Sequence, residues 1–152
     1  MSTYSQIYIH TIFAVRGRES LVHVSWEEQL YKYITGILQN KGQKMLAING
    51  VPDHIHMFLG MKPNCCLSDL IREIKISSNT FINENHLSNF KFSRQEGFGA
   101  FFYSHSQIDN VCNYILKHKH HHKKNYFKEE YTDFLRKFAI EYNINYLFDW
   151  ID

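Results

Sequence analysis

The sequence predicts an α+β fold, in which one antiparallel sheet carries helices on one face and two further helices follow it. Strand-type and helix-type hydrophobic periodicities alternate along 152 residues, a length that fits a single domain over residues 1–152. The composition, 44% hydrophobic and 21% charged, excludes a disordered protein. No apolar run approaches the roughly 18 residues of a membrane span. The polar N-terminus lacks the pattern of a secretory signal, so we expect a cytoplasmic protein.

The first half of the chain predicts three strands and one helix. Apolar residues alternate with polar ones over residues 5–15, as in a half-buried strand. A capping box at residues 25–28 predicts the start of a helix, and Gly42 predicts its end. Residues 43–51 and 53–61 then predict two strands joined by a tight connection.

The second half of the chain predicts three helices and one more strand. Ser68 is a candidate N-cap for the second helix, and residues 97–103 predict a short aromatic strand. Two further helices are predicted, one over about residues 106–122 and a C-terminal one over about residues 129–142. The order β-α-β-β-α-β is that of the ferredoxin-like (RRM-like) arrangement. One sheet face is then free unless a partner or a terminal helix covers it.

The net charge of +2 hides an asymmetry along the chain. Residues 1–128 carry fifteen Lys/Arg and nine Asp/Glu, a difference of +6, whereas residues 129–152 carry two and six, a difference of −4. Residues 114–128 hold five Lys, four His and no acidic residue. Such a run is either a solvated surface or a surface that binds phosphates.

His54 and His56 stand two residues apart in the third predicted strand. Residues two apart in a strand point to the same face, so the two imidazoles project together while Ile55 and Met57 face the other side. Two neighbouring imidazoles can share a metal ion. Taken alone, such a pair is more often a polar stretch of sheet than a metal site.

Tyr114, His118 and His121 share one side of the third predicted helix, at positions i, i+4 and i+7. Tyr114 lies off the apolar stripe of this helix, so the core does not require it. A lone tyrosine in such a place is usually a partly exposed surface residue. It becomes a candidate nucleophile if the helix packs against the face that carries His54 and His56, which the chain order permits.

A tyrosine beside a divalent cation suits one reaction in particular. The phenol is a poor nucleophile at neutral pH because its pKa is about 10. A cation that stabilises the developing charge lets the phenol attack a phosphodiester. The covalent phosphotyrosine keeps the energy of the phosphodiester, so the step can run backwards and rejoin strands. Tyrosine and metal together therefore indicate strand transfer rather than hydrolysis by water.

His54-Ile55-His56 is a His-hydrophobic-His, or HUH, motif. With the stretches around it, the chain resembles the small single-tyrosine HUH transposases of bacterial insertion sequences, which are related to the REP-associated tyrosine transposases. Four further stretches are similar to this family and fall in the same order: residues 67–75, 95–101, 111–124 and 127–135. A lone HUH motif has little specificity, but this ordered set spans nearly the whole chain.

The resemblance implies a DNA transposase that cleaves and rejoins single-stranded DNA through a covalent 5′-phosphotyrosine. Tyr114 would then be the nucleophile, and His54 and His56 would be metal ligands. The family usually has Gln four residues after the tyrosine, where this sequence has His118, which we expect to complete the metal site. Family members use Mg²⁺ or Mn²⁺, and we expect one of these ions here, although three nitrogen donors favour softer ions such as Zn²⁺.

The resemblance also implies partners. The family recognises DNA hairpins near the ends of the insertion sequence, and it works as a homodimer in which the tyrosine helix can complete the partner's site in trans. Eight basic side chains are candidate phosphate contacts: Arg16, Arg18, Arg72, Lys75, Lys117, Lys119, Lys123 and Lys124.

Two other functions stay open at this point. A non-catalytic, domesticated nucleic-acid-binding protein of the same fold accounts for the basic stretch and the aromatic residues, but it has no need of His54, His56 and Tyr114 together. A metal-dependent phosphoesterase that activates water would release free 5′-phosphate ends and leave no covalent intermediate.

Overall fold

The computed structural model describes residues 4–16, 22–88, 92–119, 127–143, 147–148 and 150. Its sheet has four strands, β1 (Tyr8–Ala14), β2 (Lys44–Val51), β3 (His54–Gly60) and β4 (Gly99–Tyr103). All pairings are antiparallel, and the strand order is β2-β3-β1-β4. With the helices inserted after β1 and β3, this topology confirms the predicted α+β, ferredoxin-like arrangement.

Two helices, α1 (Val24–Asn40) and α2 (Leu67–Glu84), pack on one face of the sheet. Their inward side chains recur at helical spacing and bury an apolar stripe against β1 and β3. The centre of this core is made of Leu30, Ile34, Leu38, Ile71, Ile74, Phe13, Ile55, Met57 and Leu59. The sheet face opposite the two histidines is therefore an ordinary hydrophobic core.

The helix ends agree with the sequence in one respect and differ in another. Gly42 follows α1 with a φ of +75°, a conformation that favours glycine, which confirms the predicted helix end. The predicted caps at Ser25 and Ser68 are wrong, because each serine is the second residue of its helix. The carbonyls of His23 and Cys66 already accept hydrogen bonds from the first turn, and neither of those side chains caps the helix.

The opposite face of the sheet is covered by two C-terminal helices, α3 (Ile108–Leu116) and α4 (Phe127–Lys137). They form a second core with aromatic and aliphatic side chains of β1, β3 and β4. Both helices are shorter than predicted, since α3 ends at Leu116 where Lys117 leaves the helical backbone, and α4 ends at Lys137. Across the described residues, no helix combines the length and the apolar character that crossing a bilayer requires.

Two close contacts fix α3 and α4 on this face. The Asn49 side chain, on β2, donates hydrogen bonds to the carbonyl oxygens of Ile115 and Leu116, at 3.0 and 3.1 Å. A Cβ at Gly99 would lie 2.7 Å from the Tyr131 ring, so glycine in β4 lets α4 approach the sheet closely. These contacts set the position of the residues that α3 and α4 carry.

Candidate metal centre

Three histidines and one carboxylate converge on the sheet face that α3 and α4 cover. His54 and His56 come from β3, His118 follows α3, and Glu130 comes from α4. The ligand atoms of these four residues lie within 4.8 Å of one another, and all four residues are buried. The alternation along β3 turns Ile55 and Met57 into the opposite core, as predicted.

Glu130 is the hub of this cluster. Its Oε1 lies 3.1 Å from His54 Nε2 and 3.0 Å from His56 Nε2, and its Oε2 lies 3.4 Å from His118 Nδ1. Burial alone would raise the pKa of this carboxyl, but the hydrogen bonds with His54 and His56 outweigh burial and hold the pKa well below its usual range. Glu130 is therefore an anion at neutral pH.

Tyr114 joins the cluster through the same carboxylate. Its hydroxyl donates a 2.6 Å hydrogen bond to Glu130 Oε2, and its ring centroid lies 6.0 Å from that of His56. Burial raises the pKa of the phenol, and the negative charge of Glu130 raises it further. The structure thus brings Tyr114 to the face that carries His54 and His56, the arrangement that the sequence left open.

Three neighbours orient the histidine rings. Asp53 Oδ1 lies 2.7 Å from His54 Nδ1, and the Phe127 ring stacks on the His54 ring at a centroid distance of 3.7 Å. His10 Nε2 lies 2.6 Å from His56 Nδ1. Both rings therefore use Nδ1 toward a protein neighbour and direct Nε2 at Glu130. Histidines that bind metal ions usually hold their second ring nitrogen in this way.

The electrostatics of these neighbours differ. Burial lowers the pKa of His54, but its hydrogen bonds with Asp53 and Glu130 outweigh burial and leave the pKa raised. Burial, and then the electrostatic effect of the adjacent His56, hold the pKa of His10 well below its usual range. His10 is therefore a neutral ring at physiological pH, able to fix the tautomer of His56.

The donor set fits a first-row divalent cation. His54 Nε2 and His118 Nε2 lie only 2.9 Å apart, and two imidazole lone pairs at that distance repel each other unless a proton or a cation lies between them. Three imidazole nitrogens with one carboxylate oxygen suit Zn²⁺ or Mn²⁺ more closely than Mg²⁺, which prefers oxygen ligands. Any such ion would be held by His54, His56, His118 and Glu130.

Two cavities give access to Tyr114 from the surface. One of about 300 Å³ is bordered by His10, Tyr103, Gln107, Asn110, Val111, Tyr114, Phe134 and Lys137. The other, of about 240 Å³, is bordered by Tyr114, Glu130, Asp133, Phe134 and Lys137. Lys137 is the one lysine or arginine among the described residues that borders both cavities, so a phosphate beside Tyr114 would lie near its ammonium.

Sequence reasoning missed Glu130, His10 and Asp53. A signal existed for Glu130, because it stands on the buried side of α4 with Phe127, Tyr131 and Phe134, a place where an acidic residue needs a partner. No comparable signal marks His10, since a histidine inside a strand is often a satisfied core residue.

The candidate phosphate contacts that the structure describes have different surroundings. Arg16 and Lys117 are exposed, Arg72 pairs with Asp69 at 2.9 Å, and Lys75 lies half-buried at α2. Lys119 is held by Glu27 and by the Asn49 side chain, both at 3.0 Å. Arg18, His121, Lys123 and Lys124 lie outside the described residues.

Comparisons with known proteins agree with this geometry. The chain is similar to a candidate transposase from Deinococcus radiodurans R1, with 19% identity, a TM-score of 0.60, and coverage of 77% of this chain and 94% of that one. It is also similar to a REP-associated tyrosine transposase bound to a REP hairpin, with 18% identity, a TM-score of 0.59, and coverage of 100% and 94%. At these identities, both likenesses show the fold. No curated protein matches the chain.

A family profile described as IS200-like transposase matches residues 3–118. The matched segment contains the whole sheet, α1 to α3, the histidine pair of β3, Tyr114 and His118. Glu130 lies beyond it, on the helix that closes the cluster. Since the match extends over well more than half of the 152 residues, the chain belongs to the IS200-like transposase family.

Proposed function

We propose that this chain is a DNA transposase that cleaves and rejoins single-stranded DNA in the cytoplasm through a covalent bond between Tyr114 and a 5′ phosphate. One observation carries the proposal. The Tyr114 hydroxyl donates to a buried carboxylate whose other oxygen lies 3.1 and 3.0 Å from His54 and His56. A protein that only binds DNA has no need of a phenol placed at a metal-type cluster.

In the proposed cleavage step, Tyr114 Oη attacks the phosphorus of the scissile phosphodiester. An O–P bond to tyrosine forms while the bond from phosphorus to the 3′ oxygen breaks. The phenolic proton, which the 2.6 Å hydrogen bond directs toward Glu130 Oε2, passes on to water, and the departing 3′ oxygen takes a proton from water. Attack by a 3′-OH on the phosphotyrosine reverses the step, joins two strands and restores Tyr114.

The resting site does not hold an activated nucleophile. The pKa of Tyr114 is raised and that of Glu130 is lowered, so the phenol keeps its proton at neutral pH. His54, His56, His118 and Glu130 would hold a divalent cation, whose positive charge would stabilise the transition state for attack. We expect Lys137, which borders both cavities beside Tyr114, to bind the same phosphate.

We propose Mg²⁺ or Mn²⁺ as the ion. Of the two, Mn²⁺ accepts imidazole ligands more readily, and His118 adds a nitrogen donor where the family usually has Gln. Cleavage that requires Zn²⁺ and occurs in neither Mg²⁺ nor Mn²⁺ would overturn this choice of ion without affecting the role of Tyr114.

The substrate that we propose is a DNA hairpin with a flanking single strand. This proposal is supported by the family and by the structural likeness to a transposase bound to a REP hairpin. The experiment is to incubate the protein with labelled hairpin oligonucleotides and to measure covalent adducts by denaturing electrophoresis. Tyr114→Phe should abolish the adduct and leave hairpin binding within a few-fold, because only the hydroxyl is removed.

Tyr142→Phe is the matched control, since Tyr142 is exposed and borders neither of the two cavities beside Tyr114. An adduct that persists in Tyr114→Phe would refute the assignment and make Tyr103 or Tyr126 the next candidates. Release of 5′-phosphate ends without an adduct would favour a hydrolase, and binding without cleavage in any ion would favour the non-catalytic protein.

The prediction of a homodimer with sites completed in trans stays a prediction. A single chain already brings Tyr114 to its own Glu130, so exchange would require α3 to move onto a partner. Mixing Tyr114→Phe protein with His56→Ala protein tests it. Cleavage that reappears in the mixture supports completion in trans, whereas an inactive mixture that contains heterodimers shows that each chain uses its own tyrosine.

A further inference from the structure

A third cavity lies on the other face of the sheet, away from the metal centre and from the two cavities beside Tyr114. It has a volume of about 500 Å³ and lies between α2 and the segment 94–98 that precedes β4. Three basic side chains border it, Arg72, Lys75 and Arg94, and so do two acidic ones, Asp69 and Glu96. Asp69 pairs with Arg72 at 2.9 Å. No residue of the metal centre borders it, so its chemistry is separate from that of Tyr114.

Arg94 is a buried cation without a carboxylate partner among the described residues. Its exposed fraction is 6%, and its Nη1 donates a 2.6 Å hydrogen bond to the Ser78 hydroxyl. Its Nε and Nη2 have no hydrogen-bond partner in the part of the chain that the structure describes. The guanidinium lies over the rings of Phe13 and Phe92, with its carbon 4.9 and 5.3 Å from their centroids. A buried guanidinium with two unpaired donors destabilises a fold unless a ligand accepts hydrogen bonds from those donors.

Lys75 places a second cation beside the first. Its Nζ donates to the carbonyl oxygens of Gln95 and Gly97 and lies 5.9 Å from the Phe13 centroid, so two cations share one ring. Burial and the charge of Arg94 lower the pKa of Lys75 to about 8, and burial lowers the pKa of Arg94 to about 9. Both groups are still cations at neutral pH. The Glu96 carboxylate raises the pKa of Lys75 by less than Arg94 lowers it, so a further anion between the two cations would be stabilising.

We propose that this cavity binds a nucleotide whose phosphate lies against Lys75 and Arg94. The Nε–H and Nη2–H groups occupy one edge of the planar guanidinium, the edge that holds two phosphate oxygens side by side. Both donors are shielded from water in the ligand-free protein. A phosphate therefore reaches them only when the lining moves, and their hydrogen bonds to it then form in surroundings that strengthen them.

The size and lining of the cavity indicate a ligand larger than inorganic phosphate. A volume of about 500 Å³ lies in the range of small-molecule sites. Phe98 and the largely exposed Ile76 line it and provide an apolar surface for a base. The nucleotide is either free or one unit of a DNA strand, and the probes below distinguish these sources. The site does not depend on the proposed reaction at Tyr114.

The test compares Arg94→Met and Lys75→Met with Lys32→Met, which removes an exposed charge on α1 outside the cavity. Binding of a labelled twelve-nucleotide single strand is measured by fluorescence anisotropy in EDTA, which silences the metal centre. Thermal stabilisation by dCMP and by inorganic phosphate is measured in the same buffer. Both cavity variants should bind their nucleotide probe about tenfold or more weakly, and Lys32→Met less than twofold.

The melting temperature of free Arg94→Met separates a ligand-binding role from a structural one. Removal of an unpaired buried charge should leave that temperature unchanged or raise it.

An effect on the oligonucleotide alone assigns the site to a DNA strand, and an effect on dCMP assigns it to a free nucleotide. Unchanged binding of every probe in both variants overturns the site, as does an equal loss in Lys32→Met. If Arg94→Met does not fold, binding of the probes by Lys75→Met decides whether the site exists. DNA cleavage, assayed in parallel on the same variants, keeps this result separate from the role of Tyr114.

Discussion

The two faces of the sheet bury their residues for different purposes. The face under α1 and α2 is an aliphatic and aromatic core, with Leu30, Ile34 and Ile74 fully buried. The face under α3 and α4 buries His54, His56 and Glu130 beside its own apolar residues. Burying titratable groups is unfavourable, so the second face gives up stability for a cluster that can bind a cation. The same strands therefore contribute to an apolar core on one face and to the cluster of histidines and Glu130 on the other.

After Tyr114→Phe, which removes the nucleophile, the largest expected effect comes from His56→Ala on the face that α3 and α4 cover. Loss of one ligand should lower the rate of DNA cleavage roughly a thousandfold, because metal stabilisation of a transition state is worth several kcal/mol. Binding of the hairpin should change by no more than a few-fold. Adduct formation under single-turnover conditions measures the rate, and circular dichroism checks the fold.

His23→Ala is the matched control for this variant, because His23 is exposed and its side chain makes no cap to α1. It should cleave like the unmodified protein. A comparable loss in both variants would show that the defect does not arise at the cluster.

A matched pair of core truncations compares the two faces directly. Ile74→Ala and Ile115→Ala remove the same atoms from fully buried sites on opposite faces. Each should lower the free energy of unfolding by about 2–5 kcal/mol, as measured by urea denaturation. Only Ile115→Ala should also lower cleavage by folded protein, because Ile115 precedes the turn that carries His118 and follows Tyr114. Equal activity losses on the two faces would break the division of roles.

His10→Gln tests the layer of residues behind the ligands. His10 Nε2 lies 2.6 Å from His56 Nδ1, and a glutamine amide cannot hold the ring of His56 in the same way. Metal affinity, measured by titration of apoprotein with Mn²⁺, should fall about 10–100-fold. An unchanged affinity would mean that the packing of α3 and α4 orients His56 without His10.

The sequence was sufficient for the topology and for most of the cluster. Period-two alternation placed His54 and His56 on one side of β3, and helical spacing placed Tyr114 and His118 on one side of the predicted helix over residues 106–122. In the structure α3 ends at Leu116, and His118, which follows it, still lies beside Tyr114. Glu130 was missed since its partners are 74 and 76 residues away in sequence. The caps of α1 and α2 were missed because serine is a frequent N-cap residue, whereas each of these helices starts one residue before its serine. Arg94 carries no local signal at all, since only tertiary packing buries it.

The smallest expected effect concerns a charge at the margin of the hydrophobic face. The folded protein lowers the pKa of Lys75 to about 8, whereas the unfolded chain has a lysine pKa of about 10.4. Between these values the unfolded state binds more protons than the folded state, so the free energy of unfolding rises with pH. Arg94, whose pKa is lowered to about 9, adds a rise of the same sign.

Lys75→Met should therefore flatten the rise in unfolding free energy between about pH 8 and 10 in ligand-free protein, without abolishing the part that Arg94 contributes. Urea denaturation across this range measures the slope, and Lys128→Met, an exposed change on α4, is the control. A slope that stays the same in Lys75→Met would mean that the ammonium is well solvated in the folded protein. In that case the hydrophobic face would carry one uncompensated charge, that of Arg94, and the contrast between the two faces would be sharper than the structure indicates.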